Sequence, residues 1–203
     1  MKFICIGRNY SEHIAELRHT TPEEPVFFMK QENAITRCNR PFFLPGFSAQ
    51  VDYETEILVK INRLGKYIQE KHAHLYYDEI GLGVDFTARD VQQRCITKGE
   101  PWEIAKAFDG SAAVGKFVAK QELADLSSIS FHLLLNGEKV QEGNSGDMLF
   151  SVDKIIAYVS RFVTLKTGDI IFTGTPAGVG PVHINDRLQG FLEGRLMFDF
   201  KIK

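Results

Sequence analysis

Residues 51–61 read Val-Asp-Tyr-Glu-Thr-Glu-Ile-Leu-Val-Lys-Ile. Because successive side chains of a β-strand point to opposite faces, this segment predicts a strand with Asp52, Glu54 and Glu56 on one face. The Cα atoms of Glu54 and Glu56 would lie about 6 to 7 Å apart, so both carboxylates could reach one cation. An edge strand with a solvated acidic face would show the same pattern, although acidic residues are depleted in strands and three on one face repel one another.

Other β-type runs flank this segment and predict further strands, whereas helical patterns are fewer. The predicted strands are 3–6, 26–29, 51–61, 81–86, 129–135, 169–173 and 196–202. The predicted helices are 11–17, capped by Ser11, a helix to about residue 96 that a Thr87–Asp90 capping box opens, and 152–162. Since strands outnumber helices and do not alternate with them, the sequence predicts an α+β fold that is mostly β rather than a doubly wound parallel sheet.

The composition limits the classes of partner. The chain has 203 residues, with 24 Lys and Arg against 26 Asp and Glu and a formal net charge of −2, which argues against a nucleic-acid partner. No linker divides the chain, so one domain over 1–203 is expected. Cys5, Cys38 and Cys95 lack metal-binding spacing, and no apolar run has the length of a secretory or membrane-spanning segment. We therefore expect a cytoplasmic protein without membrane contact.

A further carboxylate, Asp85, lies in the apolar, glycine-flanked run Gly-Leu-Gly-Val-Asp-Phe-Thr of residues 81–87. A buried, unpaired carboxylate is costly, so this residue is expected to have a cation or several hydrogen-bond donors nearby. An aspartate that caps the following turn would satisfy the same pattern. Together with Glu54 and Glu56 it would complete a three-carboxylate site, whose hard oxygen ligands favour Mg²⁺, Mn²⁺ or Ca²⁺ over zinc.

Two other segments carry candidate chemistry. His13 and Glu16 are three residues apart, on one face of a predicted helical turn, where a carboxylate orients an imidazole as a general base. An exposed surface ion pair would have the same spacing. Residues 168–180, Gly-Asp-Ile-Ile-Phe-Thr-Gly-Thr-Pro-Ala-Gly-Val-Gly, predict a strand that enters a glycine-rich loop, with Thr175 as a hydroxyl donor to a small carboxylate. The loop lacks the motifs of nucleotide sites, and the alternative is a loop that only turns the chain.

In their order along the chain, these segments resemble the fumarylacetoacetate hydrolase family, and among its members the single-domain acylpyruvase branch most. The matching motifs are GRNYSEH from Gly7, PVFFMK from Pro25, DYETEI from Asp52, DFTARDVQ from Asp85, KGEPWEIAKAFD from Lys98, NGEKVQEG from Asn136, TLKTGDIIFTGTPAGVG from Thr164 and PVHINDRL after it. The resemblance extends over nearly the whole length.

The resemblance implies a mixed β-roll or barrel-like sandwich with a few short helices. It implies that Glu54, Glu56 and Asp85 bind Mg²⁺ or Mn²⁺, with Ca²⁺ as a non-native occupant. His13 and Glu16 match the catalytic dyad of the family, on a mobile lid at about residues 11–24.

Further site residues follow from the same resemblance. Lys106 matches a catalytic lysine that faces the bound ligand. The implied substrate-binding residues are Arg8, Arg89, Gln92 and Thr175. The family also forms homodimers, which would give part of the 16 phenylalanines an interface to cover.

The expected activity is metal-dependent hydrolysis of a C–C bond in acylpyruvates, which are 2,4-diketo acids such as acetylpyruvate or fumarylpyruvate. The products would be pyruvate and a carboxylic acid. The alternatives use the same site for oxaloacetate decarboxylation or tautomerisation, or for isomerisation of 2-hydroxyhepta-2,4-diene-1,7-dioate. A non-catalytic protein that binds metal and a keto acid is the alternative from another class.

Overall fold

The computed structural model describes residues 1–17, 20–37 and 39–203. The helices are α1 (Ser11–Glu16), α2 (Glu70–Ala73), α3 (Arg89–Lys98), α4 (Glu103–Lys106) and α5 (Val152–Val159). The strands are β1 (Phe3–Ile6), β2 (Phe27–Lys30), β3 (Ile35–Arg37), β4 (Val51–Tyr53), β5 (Thr55–Ile61), β6 (Tyr77–Asp85), β7 (Thr87–Ala88), β8 (Ala112–Ala119), β9 (Ser130–Leu135), β10 (Glu138–Asn144), β11 (Ile170–Phe172), β12 (Gly180–Pro181), β13 (Arg187–Leu192) and β14 (Arg195–Lys201).

The largest sheet has the strand order β2-β1-β11-β5-β6-β8-β3. Its two outer strands, β2 and β3, are consecutive in the chain and are joined only by residues 31–34, so the sheet curls until its edges approach each other. β1 pairs with β11 in parallel, and so does β3 with β8, whereas the other neighbours are antiparallel. The prediction of a mostly β fold with few short helices is confirmed.

Both faces of this sheet are buried. Phe3 and Cys5 of β1 pack in one cluster with Leu58, while Ile4 and Ile6 belong to a larger cluster on the other face. Because side chains alternate along a strand, burial on both faces requires continuous apolar runs such as Phe3–Ile6. The larger cluster is covered by a four-stranded sheet, β10-β9-β13-β14, and by α5.

A small sheet, β12-β4-β7, brings the glycine-rich loop, the acidic segment and the start of α3 together. Gly180 pairs with Tyr53, and Asp52 pairs with Thr87. These pairings position the candidate site at one end of the curled sheet.

Several sequence-based boundaries differ from the structure. The strand predicted over 51–61 is divided at Glu54 into β4 and β5. The capping box is wrong, because Thr87 lies in β7 and the N-cap of α3 is Ala88, without a side-chain hydrogen bond. Ser11 is likewise the first residue of α1 and not its cap, which is Tyr10. Strands β8, β10 and β13 were missed, since glycines or polar residues interrupt their apolar alternation.

Among the described residues, no helix combines the length and the apolar character that crossing a membrane requires.

Candidate active site

Three carboxylates converge where β4, β5 and β6 meet. Glu54 lies between β4 and β5, Glu56 lies on β5, and Asp85 ends β6. β5 and β6 pair antiparallel, and the Asp85 N–H donates to the Glu54 carbonyl at 2.8 Å. One oxygen from each carboxylate lies within 4.8 Å of the others, and all three residues are buried. We call these residues the acidic triad.

Two members of the acidic triad are oriented by donors on the protein. Arg89 Nη2 donates to Glu54 Oε1 at 2.6 Å, and its Nε donates to Asp52 Oδ2 at 2.7 Å. The backbone N–H of Gly174, in the glycine-rich loop, donates to Glu56 Oε2 at 2.8 Å. Arg89, a predicted substrate-binding residue, and the glycine-rich loop thus both lie beside the acidic triad. In this structure Arg89 binds carboxylates of its own chain.

A lysine that the sequence analysis missed holds the third carboxylate. Lys30 Nζ lies 2.6 Å from Asp85 Oδ1, and its side chain is fully buried. The contact is an ion pair, since Asp85 Oδ1 accepts no hydrogen bond of ordinary geometry among the described residues. The sequence feature that marks Lys30 is its position at the end of the apolar run Val-Phe-Phe-Met-Lys, residues 26–30.

Lys106, at the end of α4, lies among the acidic triad. Its Nζ contacts Glu54 Oε2 at 2.7 Å and Asp85 Oδ2 at 3.1 Å, and it donates to Thr87 Oγ1 at 2.6 Å. Burial alone would lower the pKa of Lys106, but the charges of Asp85 and Glu54 outweigh burial and raise it. The ammonium form therefore supplies positive charge among these carboxylates.

The pKa values of Glu54 and Glu56 are shifted in opposite directions. Burial raises the pKa of the Glu54 carboxyl, but the charges of Lys106 and Arg89 outweigh burial, and the pKa lies below its ordinary value. Burial, followed by the charges of Asp85 and Glu54, raises the pKa of Glu56 well above its ordinary value. A divalent cation among these oxygens would offset that repulsion. The hard oxygen donors of the acidic triad thus fit such an ion.

The predicted dyad is present on α1. His13 Nδ1 lies 3.1 Å from Glu16 Oε2, and the N–H of Gly178 donates to Glu16 Oε1 at 3.1 Å. His13 is buried, whereas Glu16 is partly exposed. Glu16 thereby connects α1 to the glycine-rich loop. If Nδ1 carries the proton that faces Glu16, Nε2 is the basic atom.

One pocket is lined by His13 of the dyad and by three of the four predicted substrate-binding residues, Arg8, Arg89 and Gln92. It is lined by Gly7, Arg8, His13, Ile14, Leu17, Phe28, Glu54, Arg89, Gln92, Ile96, Trp102 and Lys106. Its free volume is about 20 Å³, which is room for about one water molecule. A larger cavity of about 400 Å³ lies against Ile57, on the opposite face of β5, and contains none of the predicted site residues.

Thr175 does not line this pocket. Its hydroxyl donates to the Thr55 carbonyl at 2.9 Å and accepts from Gln141 Nε2 at 2.9 Å. The Gln141 side chain also accepts from the Thr55 N–H at 2.9 Å. Gln141, which sequence reasoning missed, thus ties the glycine-rich loop to β5 beside the acidic triad.

Asn9, at the base of α1, is a second anchor that was missed. Its side chain donates to the carbonyls of Phe150 at 3.1 Å and Thr173 at 2.7 Å, and it accepts from the Phe150 N–H at 2.8 Å. These bonds fix the start of the predicted lid. Arg18 and His19, within the predicted lid at residues 11–24, lie outside the described residues, and the mobility of this segment stays a prediction.

The structure is a curled, mostly β fold that buries an acidic triad, which could hold a metal ion, beside a histidine–glutamate pair. The family model described as fumarylacetoacetate (FAA) hydrolase C-terminal matches residues 2–197. The chain therefore belongs to the fumarylacetoacetate hydrolase family.

Individual relatives match this chain over nearly its full length. The mitochondrial oxaloacetate tautomerase of Mus musculus is 40% identical over 200 residues, which cover 98% of this chain and 90% of the relative. An oxaloacetate tautomerase of Escherichia coli (strain K12) is 39% identical over 194 residues, 95% of this chain and 89% of the relative. The crystal structure of fumarylpyruvate hydrolase from Pseudomonas aeruginosa, in complex with Mn²⁺ and pyruvate, is 31% identical, with a TM-score of 0.94 over 100% of this chain and 89% of that chain.

Proposed function

We propose that this protein is a divalent-metal-dependent enzyme that interconverts the keto and enol forms of oxaloacetate. The observation that carries the proposal is the buried His13, paired with Glu16, in one pocket with Glu54 and Lys106. The identity to oxaloacetate tautomerases over almost the whole chain supports the choice of substrate.

The acidic triad would hold Mg²⁺ or Mn²⁺, and such an ion, when bound, acts as a Lewis acid toward the 2-keto oxygen of the substrate. Mn²⁺ in the fumarylpyruvate hydrolase structure supports an ion of this size. The chain's own residues then supply the proton chemistry and hold the carboxylates of the substrate.

Tautomerisation moves protons and leaves every carbon–carbon bond in place. In the direction from keto to enol, His13 Nε2 removes a proton from C3, and the oxygen on C2 gains a proton. Glu16, 3.1 Å from His13 Nδ1, stabilises the imidazolium that results. Lys106 is the donor beside the C2 oxygen, and solvent restores both residues. The reverse reaction uses the same groups in their other protonation states.

The pocket also has the charge to bind a dianion. Arg8, Arg89 and Gln92 line it together with Lys106. We propose that Arg8 and Gln92 bind a substrate carboxylate, and that Arg89 acts chiefly by orienting Glu54, since its guanidinium already contacts Glu54 and Asp52.

The test compares three reactions of one protein preparation. The rates of enol loss from oxaloacetate, pyruvate formation from oxaloacetate and cleavage of acetylpyruvate are measured with Mg²⁺, with Mn²⁺ and with a chelator. We expect tautomerisation to require metal and to be the fastest of the three. His13→Ala should lower its rate by about 10² to 10⁴-fold and leave oxalate binding largely intact.

The control for this variant is His183→Ala, which removes an exposed histidine that does not line the pocket. Tautomerisation that survives complete metal removal would contradict the proposal. An equal loss of catalysis and oxalate binding in His13→Ala would show that the dyad is structural.

Hydrolysis of acylpyruvates is the second candidate, which the Pseudomonas aeruginosa fumarylpyruvate hydrolase structure supports. In this reaction His13 would take a proton from water, which attacks the C4 carbonyl. The C3–C4 bond then breaks, and a proton is added to C3. At about 20 Å³ the pocket has room for about one water molecule, so the binding of oxaloacetate or of a diketo acid would each require the residues that line it to move. A faster cleavage of acetylpyruvate in the three-reaction assay would favour this candidate.

We also propose that the chain forms a homodimer. Phe47 and Ile104 are exposed, and they line one surface pocket together with Phe108. The rings of Phe47 and Phe108 pack edge to face with centroids 5.4 Å apart. Exposed apolar clusters of this kind are typical of interfaces. We call these three residues the apolar patch. Ile104 lies on α4, the helix that also carries Lys106.

A further inference from the structure

We propose that Lys30 is a positioning residue that limits Asp85 to one metal-binding oxygen and thereby makes the site favour Mg²⁺ or Mn²⁺ over Ca²⁺. This inference rests on the proposed metal site. It assigns a function to a buried lysine that does not line the active-site pocket and takes no part in the proton transfers.

Lys30 is held in place by the backbone as well as by Asp85. Its Nζ lies 3.0 Å from the Ser111 carbonyl, 3.0 Å from the Ser111 hydroxyl and 3.4 Å from the Phe86 carbonyl, and it also contacts the Lys106 carbonyl, so its three N–H groups are shared among these acceptors. Its side chain has no exposed surface. An ammonium group with this many fixed acceptors cannot swing away from Asp85 without losing them, and an unpaired buried charge is costly. The position of Asp85 Oδ1, 2.6 Å from Nζ, is therefore fixed.

The same arrangement recurs on the other two carboxylates. Glu54 Oε1 is engaged by Arg89 at 2.6 Å, and Glu56 Oε2 is engaged by the Gly174 N–H at 2.8 Å. Each carboxylate of the acidic triad thus has one oxygen that contacts Arg89, Lys30 or the Gly174 N–H, and a second oxygen that contacts none of these three groups. The remaining oxygens of Glu54 and Asp85 both face Lys106 Nζ, so they point toward a common position.

Ligands restricted to one oxygen discriminate between ions. Mg²⁺ requires six oxygens near octahedral positions, whereas Ca²⁺ takes six to eight and often binds both oxygens of a carboxylate. A donor that occupies the second oxygen therefore penalises Ca²⁺ more than Mg²⁺. Among the three donors, Lys30 is the one that is fully buried, carries a charge and lies outside the substrate pocket.

Two effects of removing Lys30 can be separated. Loss of its positive charge would strengthen the binding of every divalent cation to a similar extent, because the Coulomb energy depends on charge and distance. Loss of the restriction on Asp85 would change the ratio of the Ca²⁺ and Mg²⁺ affinities. The ratio therefore reports the positioning role, and it does not depend on catalysis.

The experiment is calorimetric titration of chelator-treated full-length protein with Mg²⁺, Mn²⁺ and Ca²⁺ separately. The variants are Lys30→Met, Lys30→Arg and the control Lys60→Met. The control removes a partly exposed lysine of β5 that pairs with Glu79 of β6. We expect the preference of Lys30→Met for Mg²⁺ over Ca²⁺ to fall by about tenfold or more, as for other changes behind metal ligands. Lys30→Arg, which retains a charged donor, should restore most of the preference, and Lys60→Met should equal the parent protein.

An unchanged preference in folded Lys30→Met would overturn the inference, even if both affinities change together. If Lys30→Met does not fold, Lys30→Gln carries the same expectation, since its amide is too short to reach Asp85 as the ammonium does. A parent protein that binds no divalent cation would overturn both this inference and the proposed metal-dependent function. A parent protein that prefers Mg²⁺ through Lys30 but does not tautomerise oxaloacetate would overturn the proposed substrate and support the role of Lys30.

Discussion

At the scale of single residues, the site is governed by the balance of buried charges. Lys106 is the cation that contacts both Glu54 and Asp85 in this structure, and all three side chains are almost fully buried. A metal ion at the remaining carboxylate oxygens would replace the ammonium group electrostatically. The ammonium is then available to contact a substrate oxygen in the pocket that it lines. Under the proposed function we therefore expect Lys106 to neutralise the carboxylates before metal binding and to contact the substrate after it.

Lys106→Met should destabilise the metal-free protein by about 3 to 5 kcal/mol, because it leaves buried carboxylates without their counter-ion. The loss should be much smaller in saturating Mg²⁺, which supplies the missing charge. Urea unfolding of the parent and the variant, each with Mg²⁺ and with chelator, measures both differences. An equal destabilisation in the two conditions would show that Lys106 stabilises the protein by packing rather than by its charge.

At the scale of elements, α1 and the glycine-rich loop after β11 form one unit. The N–H of Gly178 donates to Glu16, and Gly178 has a positive φ of 92°. A Cβ at this position would lie 2.3 Å from the Val140 carbonyl oxygen, so the loop would have to move. The orientation of Glu16, and through it of His13, depends on this close approach between the loop and β10.

Gly178→Ala should therefore lower kcat/KM by about 100-fold, the size of effect that a displacement of about 1 Å has on a catalytic group. The matched control is Gly194→Ala, at a positive φ of 71° with no atom within 4 Å of the new Cβ. It should cost about 1 to 2 kcal/mol of stability through its backbone conformation and leave kcat/KM nearly unchanged. Steady-state kinetics and thermal unfolding of both variants separate displacement from backbone strain, and similar kcat/KM values for the two would contradict the proposed contact.

At the scale of the whole molecule, a metal ion held by the acidic triad would stabilise the curled sheet. The members of the triad join β4, β5 and β6, so an ion bound to the folded state alone raises the free energy of unfolding. At a concentration 100 times its Kd, Mg²⁺ should add about 2.7 kcal/mol, and thus raise Tm by about 5 to 11 °C for a chain of this size.

Glu56→Gln is the control for this prediction, since the amide oxygen can still accept from the Gly174 N–H while the charge is lost. Scanning calorimetry should show that this variant loses most of the Mg²⁺-dependent rise. The same rise in the variant and in the parent would place the stabilising ion elsewhere.

The proposed homodimer is a second prediction at this scale. Phe47→Asp places a charge in the apolar patch and should convert a dimer into a monomer. Leu64→Asp, at a residue of comparable exposure outside the patch, should remain dimeric. Light scattering coupled to gel filtration gives the mass of each. A monomeric parent protein, or a dimer that is unaffected by Phe47→Asp, would refute this interface.

The mostly β class, the residues of the acidic triad and the His13–Glu16 pair could be predicted from the sequence alone, whereas the break of the strand at Glu54 could not. The features that could be predicted are local signals, since alternation, helical spacing and motif order can be read from adjacent residues. The same local reasoning placed a capping box at Thr87. It could not know that Thr87 lies in β7 and that its hydroxyl accepts from Lys106.

The donors that hold the site in place could not be predicted from the sequence, because they come from distant parts of the chain. Lys30 contacts Asp85, Asn9 contacts Thr173, and Gln141 contacts Thr55 across large separations in the sequence. No periodic pattern in the sequence predicts such a contact, because the contact depends on which strands become neighbours when the sheet curls. Buried polar groups must find partners wherever folding brings them. The sequence thus identified the three carboxylates, and the packing of β2, α3 and the glycine-rich loop around them decided which oxygen of each contacts Lys30, Arg89 or the Gly174 N–H.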